Sequence, residues 1–305
     1  MTDDLPAPEP LASTGSVRPA VVVLPAVAFE PPFDELTRWL DRLPIESAYE
    51  LPGLEGPLYV TDPDGGVAVT TTGLGKVPAA ATVTALWRAP GLDLDGAIVV
   101  SAGIAGAPPT RAALGSVFVA DAILDWDRKH RWDPAEVASP GDEAVAVEQL
   151  TYEPEASLHE PDRTLVGTAR AAIDDVDLAE DGIVRTYQER YPTAPDHGPR
   201  VGVGPTVTSD EFWHGSALAR EVESLCSAYG IDPYVTTQME DAATAGALAR
   251  FDAFDRHLSV RAVANYDRPA PGETVHDSFE GIDESVELAT ENAVRAGRAI
   301  VDDVR

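Results

Sequence analysis

Apolar residues near the start of the chain change from a continuous run to helical spacing. Residues Val21–Leu24 form a fully apolar run with three β-branched side chains, which is typical of a buried strand. Apolar side chains then recur at positions 33, 36, 39, 40 and 43. This spacing predicts an amphipathic helix over 33–43, with Asp34, Glu35 and Arg38 on its polar face.

Strand and helix patterns continue to alternate up to residue 124. The chain predicts paired strands at 58–60 and 67–72, an Ala-rich helix at 78–89 opened by a proline, and buried strands at 97–101 and 115–124. The strand at 97–101 leads into a loop of small residues at 102–106. Alternating strands and helices predict an α/β fold with a largely parallel sheet, in which ligands bind at the carboxyl ends of the strands.

The hydrophobic pattern weakens between residues 125 and 200 and recovers afterwards. The weak stretch carries one helical segment at 162–173, and we expect an insertion across the surface. The later patterns predict a strand at 201–207, a helix at 238–251, a strand at 258–264 and a closing helix at 282–301. The sequence of residues 1–18 predicts a flexible tail. The expected fold is a single α/β domain over 19–305, with a mixed, twisted central sheet flanked by helices.

The charge of the chain narrows the range of partners. The 305 residues include 52 Asp and Glu against 22 Lys and Arg, which gives a formal net charge of −30. A polyanion of this strength does not attract phosphate backbones or anionic lipid, so we expect no nucleic-acid binding. The longest uncharged stretch, 96–110, contains two prolines and is shorter than the about 20 apolar residues of a spanning helix. No membrane insertion is expected.

The use of basic residues also indicates an environment. Lys76 and Lys129 are the only lysines, and together with the acidic excess this is typical of a protein that works in concentrated salt. The alternative is an ordinary acidic cytosolic protein. The chain starts with acidic residues where a signal peptide has basic ones, so we expect a cytoplasmic location. Cys226 is the single cysteine, which excludes an intrachain disulfide.

Several common catalytic motifs are missing. Gly75-Lys76 is followed by Val77, where a phosphate-binding P-loop needs Ser or Thr. No G-x-S-x-G elbow of a serine hydrolase occurs, and the six histidines never fall at metal-ligand spacing. We therefore expect no metal and no other cofactor.

Five separate segments instead match one known order. They are LPGL at 51–54, AGIAG at 102–106, TSDEFWHG at 208–215, MEDAA at 239–243 and NYDRP at 265–269. With these segments the chain resembles the nucleoside phosphorylase and nucleosidase superfamily, and within it the purine nucleoside permease family known from fungi and bacteria. The resemblance covers about residues 19–300, nearly the whole chain, which is far more than a short-motif coincidence.

The resemblance implies a protein that recognises purine nucleosides. The superfamily cleaves the N-glycosidic bond, by water or by phosphate, whereas the permease label of the closest family refers to nucleoside uptake. The expected activity is N-ribosyl cleavage, as a hydrolase or a phosphorylase. The alternative is a nucleoside-binding protein without turnover that supports transport. The superfamily also implies a homo-oligomer, since its sites often borrow residues across a dimer.

The resemblance assigns the sugar to Glu240, with Met239 packing beside it. A carboxylate accepts hydrogen bonds from two vicinal ribose hydroxyls and opposes the positive charge of an oxocarbenium-like transition state. The alternative for Glu240 is an acid that complements a helix N-terminus.

The purine is assigned to Phe212 and Asn265. Phe212 matches the aromatic residue that stacks on the base, although core packing is an equal alternative. Asn265 stands where many relatives have a proton-donating Asp. An amide cannot deliver that proton, but it can bind a 6-oxopurine edge through both of its groups. General-acid catalysis would then move to Asp267, whose alternative is a turn residue paired with Arg268.

The nucleophile is the remaining assignment. Ile104 stands beside Gly103 in a loop where relatives place a polar serine, which argues against a phosphate site, and Gly75 lies in a second loop near the site. Glu30, Glu240 and Arg261 match positions that hold a catalytic water in the nucleosidase branch. The alternatives are a solvated loop acid for Glu30 and an ion-paired residue at a strand edge for Arg261.

Overall fold

A computed structural model of the chain describes residues 5–13, 17–137, 145–153, 156–231, 233–279 and 281–305. Parts of the predicted tail (1–4 and 14–16) and of the predicted insertion (138–144 and 154–155) lie outside the described residues. Across the described ranges the chain folds as α/β with one large sheet.

The strands are numbered in chain order. They are β1 (Glu9–Pro10), β2 (Val21–Leu24), β3 (Ser47–Glu50), β4 (Leu58–Val60), β5 (Val67–Val69), β6 (Ile98–Ala107), β7 (Val117–Val119), β8 (Ile123–Asp125), β9 (Lys129–Arg131), β10 (Val147–Gln149), β11 (Leu158–His159), β12 (Val201–Val203), β13 (Thr206–Thr208), β14 (Thr236–Gln238) and β15 (His257–Tyr266). Within the described ranges, 13 of them form one mixed sheet in the order β1-β3-β4-β5-β2-β6-β14-β13-β8-β11, with β15, β7 and β12 branching from β6. Strands β9 and β10 form a separate antiparallel pair.

Three buried strands form the centre of the sheet. β2 pairs in parallel with β6, from Val21 opposite Ile98 to Leu24 opposite Ser101. On its other edge β6 pairs in parallel with β15 along nearly its whole length. These strands are rich in Val, Ile and Ala, and such continuous apolar runs are stable only where helices cover both faces of a sheet.

The helices cover the sheet on both sides. They are α1 (Glu35–Leu40), α2 (Lys76–Arg88), α3 (Pro134–Val137), α4 (Arg163–Ile173), α5 (Gly182–Gln188), α6 (Ser216–Ala228), α7 (Asp241–Ala249), α8 (Val275–Ser278) and α9 (Asp283–Val304), with a 3-10 turn at Phe254–Arg256. None of the helices in the described ranges is long and apolar enough to cross a bilayer.

The alternation of side chains along β2 divides the core into two layers. Val21 and Val23 point to the layer formed with α1, α4 and α9, which also buries Trp39. Val22 and Leu24 point to the opposite layer, formed with α2 and α7. Successive residues of a strand face opposite sides, so this four-residue apolar run supplies both layers at once.

The fold class predicted from the sequence, a single α/β domain with a mixed central sheet and flanking helices, is confirmed. Several boundaries differ from the prediction. The strand predicted at 115–124 is divided into β7 and β8, because β7 pairs with β15 whereas β8 pairs with β13. The helix predicted at 238–251 begins only at Asp241, because the preceding residues belong to β14 and the turn after it.

Parts of the predicted tail and of the predicted insertion also belong to the sheet and the hydrophobic core. Within the tail, β1 pairs in parallel with β3, and Val17 is buried. Within the insertion, Ile173 and the other apolar residues of α4 pack in the core beside α9. The weak hydrophobic pattern of 125–200 therefore still contains one helix that closes a core layer.

Candidate active site

One cavity of about 370 Å³ lies where the carboxyl ends of several central strands meet. The segments that follow β2, β13 and β14 reach it, together with the second half of β6 and the part of β15 from Arg261 onwards. Its described lining consists of Ala26, Val27, Phe29, Phe33, Glu35, Leu74, Ile104, Ala105, Gly106, Ser209, Glu211, Phe212, Trp213, Thr237, Gln238, Met239, Glu240, Arg261, Asn265 and Asp267. The position agrees with the general rule for ligand sites in α/β sheets.

Glu240 is fixed at the junction between β14 and α7. The side chain of Gln238 accepts from the backbone N–H groups of Glu240 (2.8 Å) and Asp241 (2.9 Å) and so caps the helix start. The Oε1 atom of Glu240 accepts from the N–H of Gly75 at 3.1 Å. Burial raises the pKa of Glu240 to about 7, although Arg261 and the Gly75 amide oppose the shift. The carboxyl group is therefore partly protonated near neutral pH.

Gly75 does not line the cavity itself, but its amide reaches the site through Glu240. Its φ of +88° is a backbone conformation that side-chain-bearing residues rarely adopt. A Cβ atom at this position would also lie 2.8 Å from Oδ1 of Asp210. The backbone conformation thus favours glycine, and a side chain here would also displace the Asp210 carboxylate.

Glu35, which helical spacing places on a polar face, is instead buried in the cavity wall at the first turn of α1. Its Oε2 atom accepts from the N–H groups of Ala26 (2.6 Å) and Val27 (3.3 Å), and its Oε1 atom accepts from the N–H of Ile104 (2.8 Å). Burial raises the pKa of Glu35, against the opposing effects of these amides and of Arg261. The sequence signal was its position beside the apolar stripe, one residue before Leu36 and one turn before Trp39.

Gly103 makes this approach of Glu35 possible. A Cβ atom at Gly103 would lie 2.5 Å from Oε1 of Glu35. Gly103 itself is a buried residue of β6 next to Ile104, whose side chain lines the cavity. The small residues of this strand therefore serve to admit a carboxylate against the backbone.

Arg261 faces both glutamates from β15. Its Nη1 atom lies 3.5 Å from Oε2 of Glu240. Its Nε and Nη2 atoms bind the two oxygens of Asp241 at 2.9 and 2.6 Å. The geometry of Arg261 therefore also fits the alternative interpretation, in which it is an ion-paired residue. Because Arg261 is 3% exposed and Asp241 is 0% exposed, this pair lies in the wall and not on the surface.

Asn265, which also lines the cavity, is fixed by backbone carbonyl groups. Its Nδ2 atom donates to the oxygen of Phe279 at 2.9 Å and to that of Tyr266 at 3.4 Å. Carbonyl oxygens only accept hydrogen bonds, so these contacts identify the amide nitrogen, which the protein already binds. The expected binding of a 6-oxopurine through both amide groups would require these bonds to break. Oδ1 is the group that remains for a ligand.

Phe212 and Asp267 are two further predicted residues that line the cavity. Phe212 is 55% exposed and packs edge-on against Phe279 with ring centroids 5.9 Å apart, so it is a rim residue and not a core residue. Asp267 is buried, and its oxygens accept from the hydroxyl of Tyr234 (2.5 Å) and from Nε of Arg268 (2.6 Å). Asp267 is therefore paired with Arg268, as the alternative interpretation expects, and it also lines the cavity.

The remaining predicted residues divide between the cavity and its surroundings. Met239 lines the cavity beside Glu240. Glu30 is exposed in the turn between β2 and α1 and is not among the described lining residues. Within the described residues, no group of three His, Cys, Asp or Glu side chains is arranged to hold a metal ion. The structure thus brings Glu240, Arg261 and Asn265 to one cavity, adds Glu35 to its lining and Asp241 as the ion-pair partner of Arg261, and leaves Glu30 outside.

Comparison with known families gives a match over nearly the whole chain. The model of the family described as purine nucleoside permease (NUP) matches residues 18–305. A Schizosaccharomyces pombe protein named "Probable purine nucleoside permease" is 30% identical over 261 residues, which are 77% of this chain and 74% of the relative. The purine nucleoside permease of Candida albicans is 25% identical over 295 residues, or 87% and 71% of the two chains.

Solved structures with the same fold include nucleosidases. Futalosine hydrolase of Helicobacter pylori superposes with a TM-score of 0.62 at 18% identity, over 94% of this chain and 98% of the other. The 5′-methylthioadenosine/S-adenosylhomocysteine nucleosidase of Colwellia psychrerythraea, in complex with adenine, gives a TM-score of 0.60 at 17% identity, over 95% and 96%. At this level of identity the likeness shows the fold alone.

Proposed function

The chain belongs to the purine nucleoside permease family, and from this premise we propose that it binds purine nucleosides and hydrolyses their N-glycosidic bond. The observation that supports cleavage is the pair of buried glutamates, Glu35 and Glu240, beside the Arg261 guanidinium. Two acids with raised pKa values in one cavity are typical of catalytic sites.

Glu240 is proposed to hold the ribose. Its Oε1 atom is fixed by the Gly75 amide, so the carboxylate has a defined orientation when the sugar hydroxyls bind. Met239 offers an apolar surface beside it. As the glycosidic bond breaks, the sugar gains positive charge, and the nearby carboxylates stabilise it more strongly than they stabilise the neutral ground state.

Glu35 is proposed to act as the general base, the role first expected of Glu30. It is held by three backbone amides and lines the same cavity as Glu240, whereas Glu30 is exposed outside it. In this reaction a water attacks C1′ and gives its proton to Glu35. The bond between C1′ and the purine nitrogen breaks, and the base leaves with the electron pair and takes a proton from solvent water. Glu35 then returns the proton it accepted to solvent.

The environment of Glu35 supports water over phosphate as the nucleophile. The amides of Ala26, Val27 and Ile104 converge as they would on a bound anion, but the protein's own carboxylate already accepts from them. A phosphate at this position would meet the negative charge of Glu35 and find its donors occupied. Phosphorolysis is therefore the less favoured of the two cleavage reactions.

Nucleoside binding without turnover is the second candidate. Asn265 cannot protonate the leaving base, and both oxygens of Asp267 are bound by Tyr234 and Arg268. A site with weak assistance for the leaving group fits a binding protein that supports transport, as the family name suggests.

Incubation with adenosine, guanosine and inosine, with and without phosphate, tests these proposals. We expect free base and ribose without phosphate. Base released only in the presence of phosphate would identify a phosphorylase, and tight binding with no released base would identify the binding protein. A protein that neither binds nor cleaves any of the three would reject the proposed function.

The rim of the cavity supports the expected homo-oligomer. Phe29, Phe33, Leu74 and Phe212 line the cavity and are between 37% and 55% exposed in the single chain. Exposed aromatic and aliphatic side chains that surround one opening are typical of a surface covered by a partner. We propose that a second copy of the chain covers this rim. Sedimentation of a Phe29→Asp variant as a monomer, beside an oligomeric wild type, is the expected result.

A further inference from the structure

Asp241 has no ligand role in the proposed reaction, yet it is tightly bound to the site through Arg261. We infer that Asp241 is a positioning residue, which holds the Arg261 guanidinium and balances its charge so that Glu240 and Glu35 remain available to substrate. This inference rests on the proposed function.

Both oxygens of the Asp241 carboxylate accept hydrogen bonds, which fixes the orientation of the side chain. Oδ1 accepts from Nη2 of Arg261 at 2.6 Å, and Oδ2 accepts from Nε of Arg261 at 2.9 Å and from the hydroxyl of Ser259 at 2.5 Å. A two-point contact between a carboxylate and a guanidinium fixes the plane of the guanidinium. Nη1 is the part of Arg261 left to face Glu240.

Three acids compete for the single positive charge of Arg261. Asp241 binds it at hydrogen-bond distance, whereas Oε2 of Glu240 remains at 3.5 Å. Burial alone would raise the pKa of Asp241, but Arg261 and the hydrogen bonds to Asp241 outweigh burial and hold that pKa below its ordinary value. Asp241 is therefore the permanent anion of the cluster, whereas burial favours protonation of the two glutamates.

Among the other titratable groups around this cluster, the two glutamates can take over the pairing with Arg261 and His257 cannot. Glu35 approaches from α1, Glu240 from the start of α7, and Arg261 and His257 from β15. Burial lowers the pKa of His257 to about 4, so the imidazole is neutral at physiological pH. Its Nε2 atom is bound to the hydroxyl of Ser101 at 2.9 Å. Loss of the Asp241 charge would therefore be compensated by Glu240 and Glu35.

The variant Asp241→Asn keeps the shape of the side chain and removes its charge. Arg261 then pairs with the glutamates, and their pKa values fall by about one unit or more, as for carboxylates beside an unshared guanidinium. We expect the acid limb of the pH profile of kcat/KM to move to lower pH by that amount, with a fall in kcat. A purely structural role would reduce stability and leave the limb in place.

Ser259→Ala is the matched control. It removes one hydrogen bond to Asp241 but leaves both contacts to Arg261, so the acid limb should not move. If Asp241→Asn does not fold, the double variant Asp241→Asn/Arg261→Gln removes both buried charges together. Its carboxyl titration should then move to higher pH by about one unit, because the glutamates lose the guanidinium.

Carboxyl titration followed by carbon-13 NMR separates this inference from the proposed function. A wild type that neither binds nor cleaves nucleosides would reject the function, while a downward shift of the glutamate titrations in Asp241→Asn would still support the role of Asp241. Glutamate titrations that are the same in wild type, Asp241→Asn and the double variant would overturn the inference.

Discussion

Glu35 fills a site made by three backbone N–H groups, so its removal leaves an anion site without an anion. In Glu35→Ala we expect hydrolysis to fall by about 10²-fold or more, which is typical of losing a general base. The amides of Ala26, Val27 and Ile104 lose their acceptor, and formate or acetate should restore part of the activity and raise the melting temperature. The measurement is base release and thermal unfolding over a formate titration.

Glu30→Ala is the control for this rescue. It removes a nearby exposed acid of the turn before α1 and should keep wild-type activity with no response to formate. If Glu30→Ala lost activity and responded to formate while Glu35→Ala did neither, the general base would be Glu30.

Glu240 links the site to the stability of the fold. Its pKa is about 7 in the folded protein against 4.5 in the unfolded chain, so the folded state binds more protons between these values. Stability from this group is fully present below pH 4.5 and is lost as the pH rises through 7. The loss is on the order of 3 kcal/mol. In Glu240→Gln this contribution is absent, and urea unfolding at pH 5 and pH 8 should show a smaller fall than in the wild type.

The comparison of wild type with Glu240→Gln separates the effect of this one group on the pH dependence of stability from the effect of the other acidic residues. Glu30→Gln should follow the wild type, because its side chain is exposed. Equal pH dependence of stability in Glu240→Gln and wild type would contradict the buried, protonated state of Glu240.

Single residues also show how far a sequence predicts a site. Glu240 and Asn265 were expected to meet at one purine riboside from their resemblance to a family pattern, and both line one cavity. Sequence analysis does not predict Glu35 as a site residue, because a position beside the apolar stripe does not by itself distinguish a buried acid from a solvated one. Only the tertiary approach of β6, with Gly103 lacking a Cβ, makes that position a buried acceptor site.

At the scale of elements, the turn that starts α2 connects the helix to the site. Gly75 has a φ of +88°, and its amide binds Glu240. Gly75→Ala should lower nucleoside affinity at least about tenfold, because its Cβ would meet Asp210 and shift the amide that binds Glu240. Loss of one hydrogen bond to a charged group has about this effect on affinity. The measurement is calorimetric binding of a purine nucleoside.

Gly65→Ala is matched in backbone conformation to Gly75→Ala. Gly65 has a φ of +84°, and a Cβ atom at this position would meet nothing within 4 Å. The variant should lose about 1 kcal/mol of stability from the unfavourable φ and keep its nucleoside affinity. Equal affinity losses in the two variants would show that backbone strain, and not the contact to Glu240, is the cause.

Elements were predictable where a local pattern determines them. The apolar run of β2 and the spacing of apolar residues in α9 both reflect burial, and both patterns can be seen in the sequence. The division between β7 and β8 was not visible, since it follows from a change of partner strand, from β15 to β13. Likewise, α4 packs in the core through Val166 and Ile173, although the surrounding stretch has a weak pattern.

For the whole molecule, the net charge of −30 opposes the compact state. Several acids lie close together without a full complement of cations, as where Lys76 binds both Asp125 and Asp127. Because the Debye length falls from about 10 Å at 0.1 M salt to about 3 Å at 1 M, added KCl should screen this repulsion. We expect the free energy of unfolding to rise steeply up to about 1 M KCl and to level off beyond it.

Sucrose distinguishes screening from general exclusion of solutes. It stabilises folded proteins without carrying charge, so its effect should increase steadily with concentration and show no plateau. Repeating the KCl titration at about pH 4, where many carboxyl groups are protonated, should remove most of the steep phase. A KCl response that is the same at both pH values would show that acidic repulsion does not limit stability, and the interpretation of this composition as an adaptation to concentrated salt would then be wrong.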